Sequence, residues 1–405
     1  MSEIRTIPET ILASGIKDTS IDAVGKFSKK VIHHNAGPPT AADDTGLGYA
    51  VGSIWVDSTN GDMYACTASA AEDATWINQE GDDVNLPFAL QGTNYGWTAG
   101  GTADYFPGGA GVNFITQWAF ASDIGSGTDW GDLITNQSGA NIGSARSTTE
   151  SFVIASYVPH GGGFVDTMSK YTFASPGNAT DAGEYIGGAL QETGSTTDGT
   201  NTFVFGGTGP PPGGGPQVNA TTVTKLSMTS PYPQSDNGEL SAGRYGCGGA
   251  SDTSFAYCAG GDQPGIVDTI ERMAFATTSG TFADVGELTV AQFMGGSCSG
   301  PTHALTGGGY PFASTMERYQ YVSSGNGTDV GETSHLGQTA GSNGPAYGYF
   351  VGGAVPGQPP GGQNTTNNTT RMAWTSTSGG STDCGELGGD NYSPIGVRSA
   401  IGSEN

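Results

Sequence analysis

Large apolar residues recur in pairs two positions apart, at six places spread along the chain: Trp118/Phe120, Tyr171/Phe173, Leu226/Met228, Met273/Phe275, Tyr319/Tyr321 and Met372/Trp374. A spacing of two puts both members of a pair on one sheet face, and the residues between them are mostly small or polar. Each pair therefore predicts a strand. Upstream of five pairs lies a short apolar run that closes on small residues: Tyr95 to Gly101, Phe203 to Gly207, Phe255 to Gly261, Ala304 to Gly308 and Tyr347 to Gly353. The second unit departs from this, with Ser156-Tyr157 inside Phe152 to Val158. Paired glycines after a strand predict a tight bend or a close backbone approach.

Downstream of every pair stands one phrase, Asp-x-Gly followed by an acidic residue. Its Asp and Gly positions are Asp129 and Gly131, Asp181 and Gly183, Asp236 and Gly238, Asp284 and Gly286, Asp329 and Gly331, and Asp383 and Gly385. Successive Asp residues are 52, 55, 48, 45 and 54 positions apart, which is the signature of one supersecondary unit copied in series. Two weaker segments follow the phrase, such as Leu288 to Phe293 and Gly296 to His303, giving four short strands per unit. Six such units predict an all-β chain built as a six-bladed β-propeller over residues 86–405. The phrase is expected at a turn, with Gly supplying positive φ and Asp bonding the backbone two residues on. Closure of the ring is expected through residues 86–91, pairing beside the last unit to remove its open edge.

Composition narrows the function. Seventy Gly and 21 Pro indicate many turns and little helix, while the periodic aromatics argue against disorder. With 13 basic against 38 acidic residues the net charge is −25, a field that repels phosphate backbones and anionic lipid, so neither nucleic acid nor membrane is an expected partner. That charge also fits a protein kept soluble in salt water. Cys66, Cys247, Cys258, Cys298 and Cys384 are scattered and odd in number, so buried free thiols are expected rather than a disulfide framework. No apolar run approaches a membrane span and no leader is visible, which predicts synthesis in a cytoplasm and release by assembly or lysis.

The repeated carboxylates raise cation binding, but no unit carries D-x-D-x-D, and neither a metal nor a cofactor is expected. His160, His303 and His335 fall in different units, and no Ser sits in G-x-S-x-G. His33-His34 lacks a carboxylate or Cys at ligand spacing. Gly206 to Gly209 and Gly213 to Gly215 lack the Lys-Ser/Thr of a phosphate loop. The chain is therefore expected not to be an enzyme. Binding is instead expected at the Pro/Gly/Asn-rich insertions 208–220 and 354–368, where a rigid frame displays variable loops.

Residues 1–47 hold five of the basic residues within the first 30 positions (Arg5, Lys17, Lys26, Lys29, Lys30) and read as an extended attachment arm. Residues 48–85 read as a small three-stranded β module with an Asn60-Gly61 hairpin and a core of Trp55, Tyr64 and Trp76. Its Gly52-Ser-Ile-Trp-Val-Asp57, Asn60-Gly-Asp-Met-Tyr-Ala-Cys66 and Ala74-Thr-Trp-Ile77 segments resemble a module frequent in tail-fibre and other virion proteins of bacterial viruses. The repeats resemble kelch-type propellers in their paired glycines and period, but lack the fixed Tyr and Trp that follow. They are more similar to Gly-rich repeats in structural proteins of marine bacterial viruses, through Thr269 to Gly280 and Asp284 to Thr289. The resemblance implies a fibre or decoration protein of a virion. Residues 1–85 would join other virion proteins, a homo-oligomer (a trimer by preference) would form, and the propeller would meet a host-surface glycan or protein. A capsid cement protein and a propeller-fold carbohydrate-active enzyme are the alternatives.

Overall fold

The computed structural model describes most of residues 32–78 and 94–387, together with 395–396 and 400–403. Residues 1–31 and 79–93 lie outside the described residues, as do shorter stretches including 58–62, 104–109, 159–162, 211–215 and 357–362. The chain divides into two compact units, Met1–Pro87 and Phe88–Asn405. Among the described residues there is one short 3-10 turn, Thr45–Leu47, and otherwise strand.

The first unit contains a four-stranded sheet rather than the expected three. Ile32–Asn35 runs parallel to Ile54–Asp57, which pairs antiparallel with Met63–Ala70, and that strand with Asp73–Asn78. The extra strand comes from the segment read as an arm. Parallel pairing needs a long crossover and leaves no local turn signal. Tyr49, Trp55, Tyr64, Cys66, Ala74 and Trp76 form the core. Both buried indoles are satisfied, Trp55 Nε1 by the Gly37 carbonyl at 2.9 Å and Trp76 Nε1 by that of Asp43 at 3.1 Å. The Asn60-Gly61 turn lies outside the described residues.

Among the described residues the second unit is built on six antiparallel sheets, each with four main strands; Thr102–Ala103 and Ile395–Gly396 extend the first of them, and three two-stranded ribbons lie beside the others. Sheet 1 runs Ala400–Ser403, Tyr95–Ala99, Ala110–Ala119, Thr128–Gln137. Sheet 2 runs Gly143–Arg146, Glu150–Val158, Gly163–Thr172, Thr180–Glu184. Sheet 3 is Gly194–Thr197, Asn201–Phe205, Thr222–Ser227 and Gln234–Glu239, and sheet 4 is Gly248–Ser251, Phe255–Ala259, Thr269–Ala274 and Ala283–Glu287. Sheet 5 is Gly296–Ser299, His303–Gly307, Thr315–Gln320 and Thr328–Glu332, and sheet 6 is Ala340–Asn343, Tyr347–Val351, Asn368–Ala373 and Thr382–Glu386. Strands one to four follow chain order in sheets 2 to 6. In sheet 1 the first place is taken by a strand from the far end of the chain, Ala400–Ser403, paired with Tyr95–Ala99. Residues 86–91, expected to fill an open edge, lie outside the described residues, and the pairing that joins the two ends of the repeat array is made by 400–403.

First strands of neighbouring sheets lie against one another in the order 1, 2, 3, 4, 5, 6 and back to 1. They are rich in Gly, Ala, Ser and Thr because their backbones nearly touch. A Cβ at Gly249 would stand 2.1 Å from the Ser195 carbonyl oxygen. The paired apolar residues of the third strands fill the space between sheets. Phe203, Met273 and Phe275 share one cluster, while Met372 and Trp374 pack with Leu305 and Phe350 in another.

The Asp-x-Gly phrase occupies the fourth strand, not a turn between strands, and Leu288–Phe293 is a connection without a strand of its own. Opposite each phrase the third strand shifts register: between Ile115 and Thr116, Thr167 and Ser169, Val223 and Thr224, Ile270 and Glu271, Met316 and Glu317, and Thr369 and Thr370. In every copy the Gly amide donates to the Asp Oδ1, at 2.7 to 3.1 Å. This is a β-bulge, which satisfies the same positive-φ and Asp-bonding requirements that suggested a turn.

The bulge turns backbone groups toward the next sheet. Gly177 and Ala179 amides donate to the Trp130 and Asp132 carbonyls, both at 2.7 Å, joining sheet 1 to sheet 2. Equivalent bonds run from Gly325 to Val285 and Gly327 to Glu287, and from Gly380 to Val330 and Ser381 to Glu332. Glu239 and Phe282 amides link sheets 3 and 4, and the Ile124 amide donates to the Cys384 carbonyl between sheets 6 and 1. Between sheets 2 and 3 a side chain does the work: Gln234 Nε2 donates to the Glu184 carbonyl at 2.8 Å, and its Oε1 accepts from the Ile186 amide. All six junctions therefore use the phrase.

Candidate ligand-binding loop end

The connections entering sheets 3, 4 and 5 meet the loops that leave the second strands of those sheets, directly after the paired glycines. Gln191 bridges Thr208, Tyr245 bridges Asp262 and Phe293 bridges Tyr310, each as an isolated antiparallel pair. The next residues along the three connections bond in series: Gly246 donates to the Glu192 carbonyl at 2.7 Å and Met294 to that of Gly246 at 2.6 Å. Glu192 and Met294 hold φ of +59°, where Gly246 has +65°. A non-glycine residue in the left-handed region costs about 1–3 kcal/mol, and here the bond series holds it there.

This layer carries a ladder of half-buried rings. Tyr245 and Phe293 stand edge to face at 5.7 Å between centroids, and Phe293 and Tyr310 at 5.2 Å. The Tyr245 hydroxyl donates to Asp262 Oδ2 at 3.1 Å. Burial first, then the Asp262 carboxylate with which it bonds, and Glu192 beyond it push the phenol up to about 12, so it stays a donor at any physiological pH.

One residue before each bridging position the repeat supplies three versions of one position: Leu190, Arg244 and Gln292. At one repeat position on the third strands of sheets 3, 4 and 5 stand Thr224, Glu271 and Glu317. In sheet 4 the two charges form a buried ion pair, Arg244 Nη2 to Glu271 Oε1 at 2.6 Å, both side chains only 1 % exposed. Ser241 Oγ also donates to that oxygen, and Arg244 Nη1 donates to the Gly260 carbonyl at 3.3 Å. In sheet 5 Glu317 turns to backbone instead, accepting from the Thr289 and Val290 amides at 2.6 and 3.0 Å, and burial pushes its carboxyl up. Gln292 is left with an amide whose Nε2 and Oε1 are buried and have no hydrogen-bond partner within the described residues.

The insertions expected to bind are short ribbons. Thr208–Gly209 pairs with Val218–Asn219, and Ala354–Pro356 with Gln363–Thr365, their tips lying outside the described residues. The Tyr245, Phe293 and Tyr310 ladder did not stand out in sequence. Its one signal is an offset of 48, which carries Tyr245 to Phe293 and Asp262 to Tyr310.

Of the histidines, His160 and His335 lie outside the described residues, and His33 and His34 are placed on a strand by backbone alone. His303 is buried in sheet 5, its ring 6.2 Å from that of Trp374, with Nδ1 3.0 Å from Thr302 Oγ1. Burial, then the Arg318 guanidinium, push it down to about 4. Unfolded His titrates near 6.5, so its stabilising contribution is full above that pH and is lost as pH falls toward 4. Wild type is expected to lose about 2 kcal/mol more than His303→Gln between pH 7 and pH 5. Urea midpoints at the two pH values check this; equal losses would exclude His303 as the cause.

All five cysteines are buried and free, and no group of three or more metal-ligating side chains occurs among the described residues. A shallow hollow of about 260 Å³ in sheet 1, lined by Tyr95, Trp118, Ile124 and Thr128 among others, brings together no acid and base.

No family model matches the chain, and no curated protein matches it. Among solved structures it resembles that of YjhT, with a TM-score of 0.50 and 13 % identity, over 62 % of this chain and 85 % of that one. At that identity the likeness concerns fold alone.

Proposed function

We propose that the second unit is a closed six-bladed β-propeller serving as a non-enzymatic host-adhesion part of a bacterial virus particle, anchored by its first 85 residues. The closed ring is supported by the cyclic order of first strands, the entry of Ala400–Ser403 into sheet 1 and the bond between sheets 6 and 1. The observation that carries the binding reading is a division of labour. The element common to all six units is spent on joining sheets. Residues that differ between units, the Tyr245, Phe293 and Tyr310 rings with Asp262, gather at the loop end of three neighbouring sheets. A rigid frame with variable loops suits recognition. The virion assignment rests on the resemblance of residues 48–79 and of the repeats to virion components.

Immunogold electron microscopy of particles with antibody against residues 88–405 tests it. Label at the tail tip or on capsid fibres is the expected result. Uniform label over the head, with no competition of adsorption by purified protein, would favour a cement role. No label on any particle would contradict the proposal.

A further inference from the structure

We infer that the hollow in sheet 1 binds the guanidinium of an arginine side chain carried by a partner protein, which stacks on the Tyr95 ring. Tyr95 opens the second strand of its sheet, whereas the ring ladder follows the close of second strands. The hollow therefore lies at the opposite end of the sheets, and the inference does not rest on the adhesion reading.

The repeat supplies the comparison. One position of the third strand is basic in five sheets: Lys170, Lys225, Arg272, Arg318 and Arg371. Each is engaged within its own chain. Lys170 Nζ meets Glu150 at 3.4 Å, Lys225 Nζ stands 5.6 Å from the Phe203 ring centre, and Arg318 Nη1 donates to the Ser376 carbonyl at 3.3 Å. In sheets 4 and 6 the guanidinium lies 4.1 Å from the centre of the ring that opens the second strand, Arg272 on Phe255 and Arg371 on Tyr347. Sheet 1 has such a ring, Tyr95, and lacks the cation. Its register pairs Trp97 with Gln117, where sheets 4 and 6 pair Tyr257 with Arg272 and Tyr349 with Arg371. The three rings stand alike: Tyr95 is 6.2 Å and 62° from Trp97, Phe255 6.5 Å and 60° from Tyr257, and Tyr347 6.3 Å and 64° from Tyr349.

The two residues at these positions, Tyr95 and Gln117, both line the hollow of about 260 Å³, together with Trp118, Ile124 and Thr128. Tyr95 is 39 % exposed, whereas Phe255 and Tyr347, each under its arginine, are half-buried. Access is therefore open where the other sheets are filled. The negative face of an aromatic ring attracts a cation, and guanidinium suits it better than ammonium because it is planar and more weakly hydrated. Gln117 and Thr128 bring an amide oxygen and a hydroxyl to the lining, both acceptors for guanidinium N–H groups. No Lys or Arg lines the hollow among the described residues. The carboxylates Asp123 and Asp129 adjoin the lining residues Ile124 and Thr128 in the chain, and the whole chain carries −25. That field draws a cation in and repels an anion. A shallow hollow open to solvent fits one side chain presented from another protein's surface.

The test is a nuclear magnetic resonance titration of the isotope-labelled full chain with a capped Gly-Ser-Arg-Ser-Gly peptide and its lysine, citrulline and glutamate counterparts. The arginine peptide is expected to shift the Gly96 and Gly127 amides and the Gln117 side-chain amide, with a dissociation constant in the millimolar range that weakens as salt is added. Lysine is expected to bind more weakly, and the neutral citrulline and anionic glutamate peptides not at all. Gln117→Arg, which installs the residue native to sheets 4 and 6, is expected to keep or raise the urea midpoint and to abolish the response, its own guanidinium covering the ring. Tyr95→Leu is expected to weaken binding roughly fivefold or more, and Tyr95→Phe to retain it. Absence of any response to the arginine peptide would overturn the inference, as would equal binding of the citrulline peptide. So would a wild-type response in Gln117→Arg or Tyr95→Leu, or a lowered midpoint in Gln117→Arg, because the hollow would then not accept that side chain. None of these readouts involves a virus particle, so their failure leaves the adhesion reading standing.

Discussion

Arg244→Leu is expected to destabilise the second unit by about 3–5 kcal/mol, and the double variant Arg244→Leu/Glu271→Thr to recover to within about 1 kcal/mol of wild type. The single change strands Glu271, 1 % exposed, with Ser241 as its remaining side-chain donor. An uncompensated buried charge is costly because the desolvation penalty remains after the Coulombic gain is gone. The double change installs the residues that hold the same repeat positions in sheet 3, Leu190 and Thr224, which are buried there at 6 % and 0 % exposure. Urea denaturation of the wild type, both singles and the double gives the coupling energy. Additive losses would mean that the pair is no closed unit and that the sheets are not interchangeable at this position.

The second large effect concerns the bulge. Gly331→Ala is expected to cost about 3 kcal/mol or more, against about 1–2 kcal/mol for Gly183→Ala. Both glycines have positive φ, +122° and +104°, so both replacements strain the backbone. They differ in what lies beyond. A Cβ at Gly331 would stand 2.1 Å from the Gly380 nitrogen, whereas the nearest atom at Gly183 is Met168 Cε at 4.0 Å. At Gly331 the new methyl must push sheet 6 away and break the Gly380 and Ser381 bonds to sheet 5. At Gly183 the junction runs through the Gln234 side chain and leaves space. Amide exchange adds a local readout: Gly380 and Ser381 should exchange faster in Gly331→Ala, and no amide of sheet 3 should in Gly183→Ala. Equal costs for the two would mean that the phrase shapes its own strand and does not clasp the next sheet.

How much of this was legible follows from where each signal resides. The paired large residues are a period-2 pattern, and every pair falls at the third strand of a sheet, as a strand signal should. The Asp-x-Gly phrase was equally visible, but its setting was not. Positive φ and an Asp bond two residues on are common to turns and bulges, and only the pairing separates them: the residue between Asp and Gly is extra against two consecutive residues of the third strand. The first strands are runs such as Gly194-Ser-Thr-Thr197 and Gly296-Ser-Cys-Ser299, whose small side chains answer to a neighbouring backbone and leave no hydrophobic trace. That is why the role of Ala400–Ser403 could not be read ahead of its partner. The parallel strand Ile32–Asn35 was hidden for a related reason, its partner Ile54–Asp57 being remote in sequence. Of the candidate site, Tyr245 and Phe293 left only a shared repeat offset in the sequence, which does not mark them as binding residues. The commitment of Glu317 to the Thr289 and Val290 amides was not readable either, because it depends on the packed fold.

Electron cryomicroscopy of the full chain measures the central claim most directly, that six sheets close into one ring whose loop end is free to bind. The account requires six four-stranded sheets about a common axis, residues 400–403 beside 95–99, and the Tyr245, Phe293 and Tyr310 rings together at one end. An open array, with sheets 1 and 6 apart and 400–403 paired elsewhere, would contradict it.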